Sequence, residues 1–141
     1  LPWSKPGQSH PATRSFQSLR IAVNKEYEEL FDGLFSAEKA LSVDGYLVVV
    51  TFHSIEDRIV KRFIKARTGN LHSTSRYLPD ADVLPAQFTQ ITRKAVKPTA
   101  NETSINSRAR SAKLRIAKRT NCKPGKNLTL AELSVPTVGE Y

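Results

Sequence analysis

The chain has one cysteine, no methionine, no glycine-rich loop and no long apolar run. A single cysteine, Cys122, excludes an internal disulfide and cannot anchor a cysteine-based metal site. Methionine is missing even at residue 1, as expected of a fragment or a processed chain. The six glycines are scattered, with no G-x-G-x-x-G and no strand leading into a glycine cluster. No apolar stretch is long enough to span a membrane, and the first eight residues lack the apolar segment of a signal peptide. These absences predict a protein of a soluble, reducing compartment, the cytoplasm, without a metal site. At 141 residues the chain suffices for one domain with a real core.

Acidic residues are scarce in one region only. From Arg93 to Lys126 there are eleven Lys/Arg and one acid, Glu102, which accounts for the whole net charge of +9. Such concentration is expected of a surface facing phosphate. A solvated tail would give the same composition. The alternation of Ala112, Leu114 and Ile116 with Lys113 and Arg115 instead predicts a half-buried strand over 111–117, and so an ordered basic surface.

Residues 1–12, rich in Pro, Ser, Lys and Gly, read as a linker, and residues 13–119 as the folded part. From Thr13, the residues Phe16, Leu19, Val23, Tyr27, Leu30, Leu34, Ala37 and Leu41 recur at helical steps and form a core-facing stripe. Asn24 interrupts the pattern and is expected to cap a second helix that starts with Glu26, Glu28 and Glu29. Residues 69–87 and 98–107 read as connections, 88–92 as a short strand, and 120–141 as a mobile tail without periodicity. No helix separates the last two strands, so they are expected to be antiparallel neighbours.

The richest segment runs from Gly45 to Arg58. Tyr46–Phe52 reads as a buried strand after the turn Asp44-Gly45. It ends in His53, Ser54, Glu56, Asp57 and Arg58, where an amphipathic helix begins. Ile55, Ile59, Val60, Phe63 and Ile64 mark the apolar side of that helix; Arg58, Lys61, Arg62, Lys65 and Arg67 mark the polar side, and Gly69 its end. Open α/β sheets build sites outside the carboxyl ends of their strands, so chemistry is expected here. The same residues also serve a helix start, with Ser54 as N-cap and Asp57 completing an approximate capping box. A hydrolase using Ser54 and His53 is the weakest reading, since adjacent residues rarely form a nucleophile–base pair and no elbow glycines flank Ser54.

Three blocks carry a resemblance. They are residues 10–24 (HPATRSFQSLRIAVN), 50–63 (VTFHSIEDRIVKRF) and 106–115 (NSRARSAKLR). In this order and spacing the chain is similar, over about residues 8–121, to the C-terminal half of the MraW (RsmH) family of methyltransferases. The resemblance implies an α/β fold: the C-terminal half of a Rossmann-like class I sheet, closed by a final antiparallel strand pair. It implies transfer of a methyl group from S-adenosylmethionine to the exocyclic N4 of a cytosine in small-subunit (16S) ribosomal RNA. The cofactor site is expected in an N-terminal half that this sequence does not contain, and residues 1–12 then lead in from an inserted domain. His53, Ser54 and Asp57 are the implied cleft-lining residues. Arg14, Arg20, Arg58, Arg108, Arg110, Lys113 and Arg115 are the implied RNA contacts, on naked RNA or the 30S particle. A homodimer stays open, and the alternative function is a stand-alone basic RNA-binding module.

Overall fold

A computed structural model describes residues 11–69, 86–129 and 131–133. Helices α1 (Pro11–Asn24) and α2 (Glu26–Ala40) lead into strand β1 (Tyr46–Thr51) and helix α3 (Ser54–Arg67). After β2 (Phe88–Gln90) come the short helix α4 (Ala100–Ile105), a 3-10 turn at Ser107–Ser111, and β3 (Lys113–Arg119). The linker expected before residue 11 and most of the loop expected at 69–87 lie outside the described residues. The three strands form one sheet in the order β1-β3-β2, with both pairings antiparallel. β2 and β3 are thus the antiparallel neighbours that the sequence predicted.

The core lies between the sheet and the pair α2/α3. Phe31, Leu34 and Phe35 of α2 meet Ile59, Val60, Phe63 and Ile64 of α3, each at the helical spacing that puts them on one face. Phe35 meets Phe63 edge-on with centroids 5.3 Å apart, and Phe63 lies 6.2 Å from Phe88 of β2. The apolar stripe of the first helical region does not all enter this core. Ile21 of α1 is buried, but Phe16, Leu19 and Val23 are 71%, 61% and 79% exposed. The reason is local: Lys25 takes the left-handed conformation (φ 49°) and turns α2 away from the axis of α1. Asn24, expected to cap α2, instead closes α1 and reaches Glu26 with its side-chain amide.

Three buried charged residues, Glu38, Arg67 and Arg119, tie the segment after β3 to the core. Glu38 is 1% exposed and accepts from Arg67 Nε at 3.0 Å and from the Gly125 backbone N–H at 2.9 Å. Arg67, expected on the polar side of α3, lies instead over the rings of Phe35 and Phe63 and donates to the Lys126 carbonyl. Arg119 donates to the carbonyls of Glu38 and Gln87. These bonds hold residues 119–126 against α2 and α3. Farther on, Leu133 is buried and its carbonyl accepts from the Arg62 guanidinium. The segment after β3, expected to be mobile, is therefore tied to the core as far as the described residues reach.

Gly125 is required by this packing. A Cβ there would lie 2.7 Å from Arg67 Cζ, and the guanidinium is held in place by Glu38 and two rings. Gly125→Ala should destabilise the fold by about 1–3 kcal/mol, the usual cost of overpacking. Urea unfolding measures it, and an unchanged midpoint would show that the tail can move aside.

Candidate functional site

β1 delivers its C-terminal end to the N-terminus of α3, and the turn between them is held by a reciprocal cap. Glu56 Oε2 accepts from the backbone N–H groups of Phe52 and His53, both at 3.1 Å. His53, extended at φ −123° and ψ 148°, accepts at Nδ1 from the Ile55 N–H at 3.4 Å. His53 and Glu56 thus take the capping roles expected of Ser54 and Asp57, one residue upstream in each case. Accepting at Nδ1 places the proton of the neutral ring on Nε2. That nitrogen is the one left to act on a partner. Ser54 is the first helical residue and is exposed. Nδ1 is thus committed to the helix cap rather than to a Ser54–His53 pair.

Asp57 turns the other way, toward the sheet. Its carboxylate receives a bidentate pair from Arg115, Nε to Oδ1 at 2.7 Å and Nη2 to Oδ2 at 3.2 Å. Lys113 Nζ adds a third bond to Oδ2 at 3.1 Å. Burial alone would push the carboxyl upward, but the bonds from Arg115 and Lys113 and their charges hold it below its ordinary value of 3.8. One carboxylate thus faces two cations and leaves a net positive charge fixed at the end of β1.

The same contacts reverse the expected faces of β3. Lys113, Arg115, Ala117 and Arg119 point toward the helix layer, where Arg115 and Arg119 are 7% and 6% exposed. Leu114 and Ile116 point to the other side. The alternation was real; the basic residues lie inside because Asp57 and the carbonyls of Glu38 and Gln87 receive them. Only Lys113, its side chain 32% exposed, reaches the surface from this cluster.

The remaining basic candidates lie elsewhere. In the 3-10 turn, Ala109 is buried and turns Arg108 and Arg110 outward, while Asn106 caps the Arg108 N–H. No ion pair joins either arginine to a carboxylate among the described residues. Arg58 is exposed at the first turn of α3. Arg20 forms an exposed pair with Glu26, and Arg14 lies in α1. The structure brings Asp57, Lys113 and Arg115 together in one cluster, with His53 and Arg58 beside it in sequence. Among the described side chains, Arg20 pairs with Glu26 and not with that cluster. Glu38 and Arg67, the best-buried ion pair, escaped the sequence reading. Yet each sits at helical spacing within an apolar stripe, Glu38 with Phe31, Leu34 and Phe35, and Arg67 with Val60, Phe63 and Ile64.

Residues 2–120 match the MraW methylase family. The chain belongs to that family. Among curated relatives, it is 55% identical over 140 residues to a protein of Ruegeria sp. (strain TM1040), covering 99% of this chain and 42% of that protein. It is 57% identical over 125 residues to one of Roseobacter denitrificans, covering 89% of this chain and 38% of the relative. A Jannaschia sp. protein is 54% identical over 136 residues, covering 96% of this chain and 41% of its own length. All three carry the name ribosomal RNA small subunit methyltransferase H. The chain therefore spans about two fifths of the length of the relatives it matches. MraW methylases are enzymes, and the strand end described above falls within the matched residues.

The glycines of the described residues do not fall in a strand–loop–helix turn. Gly33 lies within α2, Gly45 precedes β1, Gly69 follows α3, and Gly125 packs on Arg67. None stands between the end of a strand and the start of a helix, where a nucleoside-binding loop requires it.

Proposed function

We propose that this chain is the C-terminal, RNA-facing part of an enzyme that methylates the N4 of a cytosine in small-subunit ribosomal RNA. The donor is S-adenosylmethionine, held by the part of the protein outside this chain. The observation that carries the reading is the identity of more than half of all aligned residues, across nearly the whole chain, to proteins named for that RNA. The topology supports the Rossmann-like assignment. β1 and β2 are each antiparallel to β3, hence parallel to one another, with the last strand between them.

A cytosine amino group is a weak nucleophile because its lone pair is delocalised into the ring. Its methylation depends on holding the base in line and on acceptors that orient the N–H bonds. On this reading the strand end borders the cleft. His53, fixed by its cap, presents Nε2–H there as a donor, suited to the O2 or N3 of the base and not to its amino group; Asp57 acts through Lys113 and Arg115 and does not touch the base. Lys113, Arg58, Arg108 and Arg110 meet the RNA backbone, where guanidinium and ammonium groups pair with phosphate. Arg14 and Arg20 contact RNA only at the far end of α1, and Arg20 does so in competition with Glu26.

Two measurements on the chain itself test this reading. Binding to a small-subunit RNA fragment should weaken steeply with salt, and Arg108→Ala with Arg110→Ala should lower the log–log slope by roughly one to two units. An unchanged slope would remove these arginines from the RNA surface. Calorimetry with S-adenosylmethionine should give no saturable heat, and micromolar binding would contradict the placement of the cofactor site outside this chain.

A further inference from the structure

Past Gln90 the chain stays beside β3 but bulges. Ile91 and Thr92 both donate their backbone N–H to the Ile116 carbonyl, at 3.1 and 3.2 Å. The Ile116 N–H goes in turn to Thr92 Oγ1 at 2.9 Å. Farther on, Val96 and Leu114 exchange both backbone bonds, each at 2.9 Å. Arg93, Lys94 and Ala95 therefore fill the stretch that β3 spans with Arg115 alone. Gln90 braces the excursion, donating from Nε2 to the Thr92 carbonyl at 2.9 Å. Bulges at sheet edges re-aim side chains, often next to active sites.

What this bulge carries is charge. Arg93 and Lys94 are exposed, and so is Lys97, one residue past the Val96 bridge. The described ion pairs take in Arg20, Arg67, Lys113, Arg115 and Lys118, and none of these three. Glu102 is the only acid between Arg93 and Lys126. Neighbouring cations on an anchored backbone repel one another, and the described fold gives them no counter-charge. A polyanion supplies it. Because Thr92 and Val96 already fix the backbone, little order is lost when such a partner binds.

The register places the bulge. Val50 of β1 and Val96 both stand opposite Leu114, from the two sides of β3. The bulge is thus level with the end of β1, two strand spacings or about 10 Å away. β1 and β2 run parallel, so it lies at the same end of the sheet as His53. Lys97 falls level with Lys113, the exposed member of the Asp57 cluster. A line of cations therefore runs from the end of β1, over β3, to the edge at β2.

We infer that the bulge is a phosphate clamp: Arg93 and Lys94, with Lys97 beside them, hold the ribosomal RNA backbone that flanks the target base. The inference rests on the reading of this chain as the RNA-facing part of the methyltransferase. It adds three contacts outside the strand-end cluster and the 3-10 turn, and the course of the RNA across the sheet.

The test is a salt series of anisotropy titrations with a labelled small-subunit RNA fragment. Arg93→Ala with Lys94→Ala should weaken binding roughly tenfold near 0.1 M salt and lower the log–log slope by about one to two units. The charge-keeping pair Arg93→Lys with Lys94→Arg should restore both. Lys118→Ala, at the other end of β3 and paired with Asp44, should change neither. Melting of the alanine variant should hold, since both side chains are exposed and the bulge is pinned by Thr92 and Val96. Position is read separately. Lys94→Cys carrying an iron–EDTA group, with Cys122→Ser to leave one thiol, should cleave the RNA of the small-subunit particle beside the methylated cytidine. Parental affinity and slope in the alanine variant, or cleavage far from that cytidine, would overturn the clamp. If Arg108→Ala with Arg110→Ala still lowers the slope, the RNA-facing reading survives that result. No RNA binding by the unaltered chain would defeat the reading and the clamp together. Loss of methyl transfer in the assembled enzyme with an unchanged slope would give the bulge a protein partner, and would also overturn the clamp.

Discussion

Glu38→Ala is expected to destabilise the chain by about 3–5 kcal/mol, because it leaves the buried Arg67 guanidinium without its counter-charge. For a domain of this size that lowers the melting temperature by roughly 10–15 °C. Three structural parts depend on this one carboxylate: α3 through Arg67, the residues after β3 through the Gly125 N–H, and α2 itself. The double variant Glu38→Leu with Arg67→Met should recover part of the loss, since apolar replacement of both partners leaves no stranded charge. Thermal melts of the single and double variants decide it. A single variant within 1 kcal/mol of the parent, or a double variant worse than either single, would contradict this account of the core.

Asp57→Asn should cost about 3 kcal/mol at neutral pH, and the cost should depend on pH in a stated direction. The variant keeps the shape but leaves Arg115 and Lys113 facing each other around an uncharged amide. In the folded protein the Asp57 carboxyl titrates below its ordinary value of 3.8. Its contribution is therefore fully present above that value and is lost as pH falls through the lower folded value. Urea unfolding from pH 7 down to pH 2.5 should show the gap between parent and variant closing only below about pH 4. A gap that stays constant would mean that shape, and not charge, is what Asp57 supplies. Because Lys113 is the exposed member of the cluster and loses its carboxylate partner, the same variant should also steepen the salt dependence of RNA binding, by up to about one unit. A purely structural Asp57 would leave that slope unchanged.

Much of this arrangement is legible in the residues, and the failures have physical causes. β1 and α3 stand where the apolar run and the 3.6-residue period put them, since both signals are local. The helix cap shifted by one residue because a histidine ring nitrogen can accept the N–H that Ser54 was expected to take, and because Glu56 is better placed than Asp57 to reach back. Period two in β3 gave two faces but no way to tell which was inside. The usual rule places lysine and arginine outward, and it failed because Asp57, fifty-six residues from Lys113 in sequence, supplies a buried partner. The stripe on α1 was read as core because it continued the phase of α2, and a left-handed Lys25 broke that phase. The two-sided apolar character of β1 was visible in Val48-Val49-Val50. It meant that both faces need cover, of which the described residues provide one.

Taken together, a buried cluster fixes one excess cation at the end of β1, two outward arginines follow on the 3-10 turn, and an apolar face stands open. On the proposed reading, the lysine and the two arginines face RNA and the cofactor lies in the part of the enzyme outside this chain. The most direct measurement is methyl transfer from labelled S-adenosylmethionine to a small-subunit particle, using this chain assembled with the remainder of the enzyme. The RNA is then digested to nucleosides for analysis. The account expects the label on N4 of cytidine, dependent on the presence of this chain and absent when either part is supplied alone. Label on another base, or transfer of the same extent without this chain, would contradict it.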